Sequence, residues 1–112
     1  MATDQLSTVF QALADPTRRA ILARLSDGDA NVSELAEPFE ISLPAISRHL
    51  KVLEAAGLIS RGQTAQWRSA KLEPIALEEA FEWMAPYRQI WDTRLGRLEK
   101  HLKTVQEMQE EK

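Results

Sequence analysis

Five cationic side chains lie between residues 42 and 71, where Glu54 is the one acidic residue. The five are Arg48, Lys51, Arg61, Arg68 and Lys71. They give this segment a charge of +4, which leaves −7 for the rest of a chain whose net charge is −3. A local basic patch on an acidic body is the electrostatic footprint that DNA-binding modules need. The charge distribution therefore favours a nucleic-acid partner, although the net charge alone does not.

A helix predicted over residues 43–56 presents part of this charge on the side opposite its apolar face. Ile46, Leu50 and Leu53 follow helical spacing and point to the predicted core. At about 100° per residue, the outward side carries small, polar and cationic groups, namely Pro44, Ser47, Arg48 and Lys51. Arginine pairs bidentately with guanine, serine bonds bases or phosphates, and lysine offers a point charge to phosphate. We therefore predict that Arg48 contacts base edges beside Ser47, and that Lys51 contacts a phosphate.

Three shorter helices are predicted ahead of this one. Apolar spacing predicts the first over about residues 4–14. Asp15 and Pro16 suit the N-cap and first position of a second helix, which stops at residues 27–28. A short third helix follows, with Ser33 as its expected N-cap.

The segment around and after the 43–56 helix completes a recognisable layout. Ser42 is the predicted N-cap of this helix and a further candidate DNA contact, and Gly57 closes the helix. Two short strands are predicted over residues 58–61 and 66–72, with residues 62–65 as their turn. A short helix, a tight turn, a longer helix and a hairpin are the layout of a winged helix-turn-helix, whose second helix enters the major groove. Double-stranded DNA is therefore the predicted partner.

The predicted hairpin, or wing, carries Arg61, Arg68 and Lys71, and its uncharged tip includes Gln63. We expect these residues to add phosphate or minor-groove contacts rather than most of the specificity. Strand alternation puts Arg68 on the same side as Leu72, so a structural role for Arg68 stays open.

The C-terminal part is predicted to be helical from Glu73-Pro74 onwards, with a break or kink at Pro86. Beyond Pro86, apolar residues at spacings of four, three, four and three form a heptad-like stripe: Trp91, Leu95, Leu98, Leu102 and Val105. Exposed in a monomer, such a stripe is an aggregation liability, so we expect it to pack in a two-fold homodimer together with Leu6 and Phe10. The alternative is that the stripe folds back onto its own domain.

These elements predict a single dimeric winged helix-turn-helix domain over residues 1–112, mainly α with a small β-hairpin. About residues 74–108 and 4–14 would form the dimer interface. The two-fold symmetry would place two recognition helices about one DNA turn apart, roughly 34 Å, which predicts an inverted-repeat operator.

Other function classes suit the sequence less well. There is no glycine-rich phosphate loop and no nucleophile motif, so we expect neither an enzyme nor a cofactor. The absence of cysteine excludes disulfides and thiolate metal sites. No signal peptide or membrane span is predicted, and a cytoplasmic location is expected. A winged-helix module that binds protein instead of DNA remains an alternative, against which the cations Arg48 and Lys51 argue.

Three sequence runs resemble the ArsR/SmtB family of winged-helix repressors: DPTRRAIL at residues 15–22, SELA at 33–36 and LPAISRHLKVLEAAGLI at 43–59. The resemblance covers about residues 5–72. It implies a homodimer that binds an operator near a promoter and represses it, with recognition by residues 43–56 and a wing at about 58–72. The C-terminal pattern of Trp83, residues 86–88 and Trp91 resembles a metal-independent branch of that family.

The resemblance does not imply that this chain senses metals. Many family members sense metals through cysteine pairs in the third helix or through Asp and His residues of the last helix. This chain has no cysteine, and its two histidines are His49 and His101. A metal-responsive repressor that uses His101, Glu99 and a partner chain's carboxylates remains an alternative. Whether a small-molecule effector exists is not decided by the sequence.

Two further predictions concern polar side chains beside the predicted core. His49 lies on the flank of the apolar face and is expected to be a hydrogen-bonded packing residue. Arg18 lies toward the same side as Ile21 and should be partly buried, which requires an acidic partner. We expect an ion pair between Arg18 and Glu54 that fixes the angle between the two helices.

Overall fold

The computed structural model describes residues 4–62 and 69–110. Its elements are, in order, α1 (Gln5–Leu13), α2 (Pro16–Leu25), α3 (Val32–Ala36), α4 (Leu43–Ala55), β1 (Ile59–Arg61), β2 (Ala70–Leu72) and α5 (Pro74–Glu110). The described residues form a mainly helical protein with a two-stranded antiparallel hairpin, which confirms the predicted winged-helix class. The chain divides into two compact units, residues 1–80 and residues 81–112.

Polar caps begin the four helices of the first unit. Asp15 accepts a hydrogen bond from the Arg18 backbone N–H at 3.0 Å, and Pro16 follows it as predicted. At α3 the expected cap is wrong, because Asn31 rather than Ser33 occupies the N-cap. Asn31 and Glu34 form a reciprocal capping box, whose spacing of three residues is readable in the sequence.

The core of the first unit contains large apolar side chains from α1 to α4, from Leu58 and from Ile59 of β1. Its fully buried members are Val9, Ile21, Leu35, Ile46, Leu50, Leu53 and Leu58. Each is worth roughly 1.5–3 kcal/mol relative to an exposed side chain. The three α4 residues that apolar spacing assigned to the core are all completely buried.

Within the described residues the hairpin pairs residues 59–61 with residues 70–72, and residues 66–68 of the predicted second strand lie outside the described part of the chain. Ile59 pairs with Leu72, Ser60 with Lys71 and Arg61 with Ala70, so the strands begin at residues 59 and 70. The predicted turn residues 63–65 and the two candidate contacts Gln63 and Arg68 lie outside the described residues. The Ala70 N–H donates to the Ala30 carbonyl at 2.7 Å, which ties β2 to the segment ahead of α3.

Helix α5 runs through Pro86 without interruption, so the predicted break is wrong, and the alternative of a kink at Pro86 stays a prediction. Proline removes one hydrogen bond and crowds the preceding turn, at a cost of about 3 kcal/mol. The turns on both sides keep their own hydrogen bonds, and the helix extends over 37 residues. Among the helices of residues 4–62 and 69–110, none has the length and apolar content to cross a bilayer.

Candidate nucleic-acid interface

The outward side of α4 has the exposure that its helical spacing predicts. Pro44, Arg48 and Lys51 are exposed and Ser47 is half-buried. The opposite side is completely buried at Ile46, Leu50 and Leu53. The core therefore fixes which side of α4 faces solvent, and that side carries two cations and a hydroxyl. Base contact by Arg48 and phosphate contact by Lys51 stay predictions.

Both ends of α4 are held by local hydrogen bonds. Ser42 is the N-cap, as predicted, and its Oγ accepts from the Ala45 N–H at 3.3 Å. Its hydroxyl proton stays available for donation to a phosphate, because this cap uses the oxygen only as an acceptor. At the other end, Gly57 adopts φ +77°, and the Leu58 N–H donates to the Leu53 carbonyl at 3.0 Å. This is a Schellman ending, which stops α4 where the sequence predicted.

The hairpin register separates two of the wing cations. Lys71 pairs with Ser60 and is exposed. Arg61 pairs with Ala70, which is completely buried, so Arg61 lies on the core side of the hairpin and is half-buried. The two cations thus lie on opposite faces of the hairpin, and a DNA contact by either of them stays a prediction. Lys71 has the exposure that a phosphate contact requires.

Arg18 has different partners from the expected one. Its Nε donates to the Ala12 carbonyl at 2.7 Å and a terminal nitrogen donates to the Gln11 carbonyl at 2.9 Å. Its other terminal nitrogen lies 3.4 Å from His49 Nδ1. No ion pair joins Arg18 to Glu54 within residues 4–62 and 69–110, so that prediction is wrong. The guanidinium is satisfied by carbonyls of the last turn of α1, where a helix runs short of backbone donors. The Gln11 carbonyl accepts from the Ala14 N–H at 3.2 Å as well as from Arg18.

His49 packs between polar groups of α2, as expected for a hydrogen-bonded packing residue. Its Nδ1 lies 3.9 Å from Asp15 Oδ2, and its side chain is 23% exposed. The pKa of the Asp15 carboxyl lies below its ordinary value of 3.8, chiefly because the Arg18 backbone N–H donates to it. The nearby charge of Arg18 acts in the same direction. Helical spacing identified His49, but nothing in the sequence identified this three-residue cluster.

Helix α5 displays the predicted apolar stripe in its second half. The exposed fractions are 62% for Trp91, 40% for Leu95, 52% for Leu98, 54% for Leu102 and 36% for Val105. The exposed apolar surface also reaches further toward the start of α5 than predicted, through Phe81, Met84, Tyr87 and Ile90. Leu6 and Phe10 of α1, by contrast, are half-buried and pack against the core of the first unit.

The part of the chain that the structure describes brings together no group of three or more His, Asp or Glu side chains suited to a metal ion. Glu99 and His101, the candidates for a shared metal site, both lie exposed on α5.

Known proteins share both the sequence and this fold. A helix-turn-helix domain family matches residues 13–61. The transcriptional repressor SdpR of Bacillus subtilis is 40% identical over 79 residues, which are 70% of this chain and 88% of SdpR. The crystal structure of the ArsR family transcriptional regulator RHA00566 superposes with a TM-score of 0.72 at 43% identity, covering 80% of this chain and 98% of that one.

A third similar protein is the winged helix-turn-helix DNA-binding domain of Mb0332 from Mycobacterium bovis, which its solution structure describes as homodimeric. It superposes with a TM-score of 0.59 at 26% identity, and the match covers 82% of each chain. The buried side of α4, its exposed cationic side and the hairpin after it thus occur in a fold shared with regulators of transcription. The chain belongs to the ArsR/SmtB family of helix-turn-helix transcriptional regulators, which are DNA-binding proteins and not enzymes.

Proposed function

We propose that the protein is a homodimeric repressor that binds an inverted-repeat operator near a promoter. The observation that carries this proposal is the exposed Arg48 and Lys51 on the side of α4 opposite its completely buried residues. In a helix-turn-helix protein this is the helix that enters the major groove. Ser42, Pro44 and Ser47 would line the same contact. The repressor assignment is supported by SdpR, which is named as a repressor.

The wing would contribute through phosphate contacts. Lys71 is the best placed of its described cations, because it is exposed on the outer face of the hairpin. Arg61 lies on the other face, and we assign it a smaller share of the binding energy. Gln63 and Arg68, which lie outside the described residues, remain proposed contacts of the wing. A protein that reads operator DNA works where that DNA is, so the cytoplasm is the proposed location.

Dimerisation would come from the apolar surface of α5, and Leu6 and Phe10 of α1 would also contribute. The stripe from Trp91 to Val105 leaves about half of each large side chain in water. A contiguous exposed apolar surface of this kind marks an interaction site. A second copy of the chain is the proposed occupant, in line with the homodimeric Mb0332 domain.

We further propose that the protein belongs to the metal-independent branch of the family. The chain has no cysteine, and one of its two histidines, His49, is engaged with Arg18 and Asp15. The remaining oxygen-rich candidate would need Glu99, His101 and groups of a partner chain. Addition of zinc, nickel or arsenite at stoichiometric amounts is therefore expected to leave operator affinity unchanged, and release of the DNA by any of them would contradict this assignment.

The experiment that tests the proposed function is selection of bound fragments from genomic DNA by the purified protein, followed by gel shifts. We expect a duplex with two inverted half-sites centred about 10 base pairs apart. Log affinity should fall linearly with log salt concentration, because phosphate contacts release counterions. Binding without any preference for one duplex sequence would contradict the proposal and favour the protein-interaction alternative.

A further inference from the structure

Arg18 lies where three helices meet. Its guanidinium donates to the carbonyls of Gln11 and Ala12 in the last turn of α1. Its third nitrogen lies 3.4 Å from Nδ1 of His49 on α4. Because Arg18 itself belongs to the first turn of α2, one planar side chain links all three helices. A lysine carries its three donors on one nitrogen and lacks the planar fork whose separate nitrogens reach these three acceptors.

The neighbouring Arg19 provides a natural comparison. It also donates to the end of α1, from a terminal nitrogen to the Leu13 carbonyl at 2.8 Å. Among the residues that the structure describes, this is the one side-chain hydrogen bond that Arg19 makes. Arg18 and Arg19 thus share the anchor on α1, and they differ in the contact to α4.

His49 is directly next to the proposed base-reading residue, Arg48. The two side chains leave α4 about 100° apart, so a contact at His49 resists rotation of the helix about its axis. Rotation by about 10° moves a group about 6 Å from a helix axis by about 1 Å. A binding group must be held within about 0.5 Å to remain productive. The contact between Arg18 and His49 therefore controls the rotation of α4, and with it the position of the Arg48 side chain relative to the bases.

We propose that Arg18 is a positioning residue for operator recognition. Anchored on the carbonyl end of α1, it holds His49 and so sets the rotation of α4 that brings Arg48 to the base edge. This inference rests on the proposed function, because it requires Arg48 to read a base. Arg18 itself touches no DNA in this scheme, and its effect is on discrimination between sequences.

The test compares the affinity of each variant for the duplex selected by the native protein with its affinity for a scrambled duplex of equal composition. Arg18→Lys is expected to lower this ratio about tenfold, within the range that loss of a bidentate base contact spans. Arg19→Lys is the matched control and should leave the ratio unchanged. His49→Leu should lower the ratio as Arg18→Lys does, whereas His49→Gln, which keeps an acceptor for Arg18, should preserve most of it.

Two combinations separate a positioning role from a general loss of stability. The double variant Arg18→Lys/His49→Leu should lose no more discrimination than either single variant, because both changes break the same link. In the Arg48→Ala background, Arg18→Lys should have no further effect on the ratio. Thermal unfolding of every variant shows whether it folds, and the His49 variants carry the test if Arg18→Lys unfolds.

The possible results distinguish failure of the proposed DNA contact of Arg48 from failure of the proposed positioning role of Arg18. If Arg48→Ala keeps native affinity and discrimination, the proposed DNA contact itself fails. If Arg48→Ala loses discrimination while Arg18→Lys and His49→Leu keep it, the positioning role of Arg18 is overturned and the proposed function stands. Equal losses in Arg18→Lys and Arg19→Lys would also overturn it, since the shared anchor on α1 would then explain the effect.

Discussion

Replacement of Leu98 and Leu102 by aspartate is expected to dissociate the proposed dimer. Full burial of a leucine side chain is worth roughly 1.5–3 kcal/mol. The two residues are 52% and 54% exposed, so burial of the exposed half would contribute roughly 1 kcal/mol for each. Both subunits supply both leucines, and the double variant therefore loses roughly 4 kcal/mol of association energy. At 1.4 kcal/mol per factor of ten, the dimer dissociation constant rises about a thousandfold.

Burial of a carboxylate adds to this loss, because an unpaired charge at an apolar interface keeps a large desolvation cost. The assay is light scattering over a dilution series, combined with gel shifts on the selected operator. We expect a monomer at concentrations where the native protein is dimeric, and operator binding should be lost with the dimer. Circular dichroism checks that the α-helical content persists.

The matched control is Lys100→Asp/Lys103→Asp, which places two aspartates on the same helix. Helical spacing puts these positions on the side opposite Leu98. This control should remain dimeric. A difference between the two double variants would then show that loss of the apolar stripe, and not added negative charge on the helix, dissociates the dimer. A folded Leu98→Asp/Leu102→Asp protein with the native dimer dissociation constant would refute the reasoning.

Arg48→Ala should cost roughly 1–3 kcal/mol of operator affinity and relax selectivity at one base pair, as measured by gel shifts on single-base variants of the operator. Lys71→Ala should weaken all duplexes alike and reduce the slope of log affinity against log salt by about one, whereas an unchanged slope would remove Lys71 from the phosphate contacts. Gly57→Ala should destabilise the fold by roughly 1–2 kcal/mol in chemical unfolding, because φ at this residue is +77° while a Cβ would meet its neighbours no closer than 3.6 Å. The folded-state pKa of Asp15 is lowered, so its carboxylate stabilises the fold fully above its ordinary pKa of 3.8, and this contribution is lost as the pH falls from that value through the lowered folded-state pKa. Asp15→Asn, which keeps a capping side chain, should therefore unfold more easily than the native protein at pH 7, and this difference should shrink as the pH falls below 3.8. A difference that stays constant over the acid range would contradict the assignment.

Much of the fold could be predicted because its signals are local. The caps at Asp15 and Ser42 and the stop at Gly57 act within one turn of their own helices. The apolar spacing of α4 decided which side is buried, and with it which side offers Arg48 to DNA. The expected break at Pro86 was wrong because one lost hydrogen bond does not outweigh the intact turns around it.

The pairing of residues across the hairpin could not be predicted from the sequence. The alternation of side chains was readable, but the register depends on which residue faces which across the two strands. That register puts Lys71 opposite Ser60 and Arg61 opposite Ala70, on different faces. Composition alone therefore could not show which wing cation lies on the exposed face of the hairpin.

The amino-acid sequence by itself determined helices α1 to α4 and the solvent side of the recognition helix, because capping and periodicity act over a few residues. It also indicated the family, through the runs at residues 15–22, 33–36 and 43–59. The tertiary structure alone decided the partners of Arg18. Charge complementarity pointed to Glu54, yet the carbonyls at the end of α1 and His49, 31 residues away along the chain, take its three nitrogens. An arginine side chain bonds to the acceptors that the crossing of helices brings within about 3 Å of its nitrogens. That crossing is set by the packing of the whole core around Ile21, Ile46 and Leu50, which no local pattern encodes.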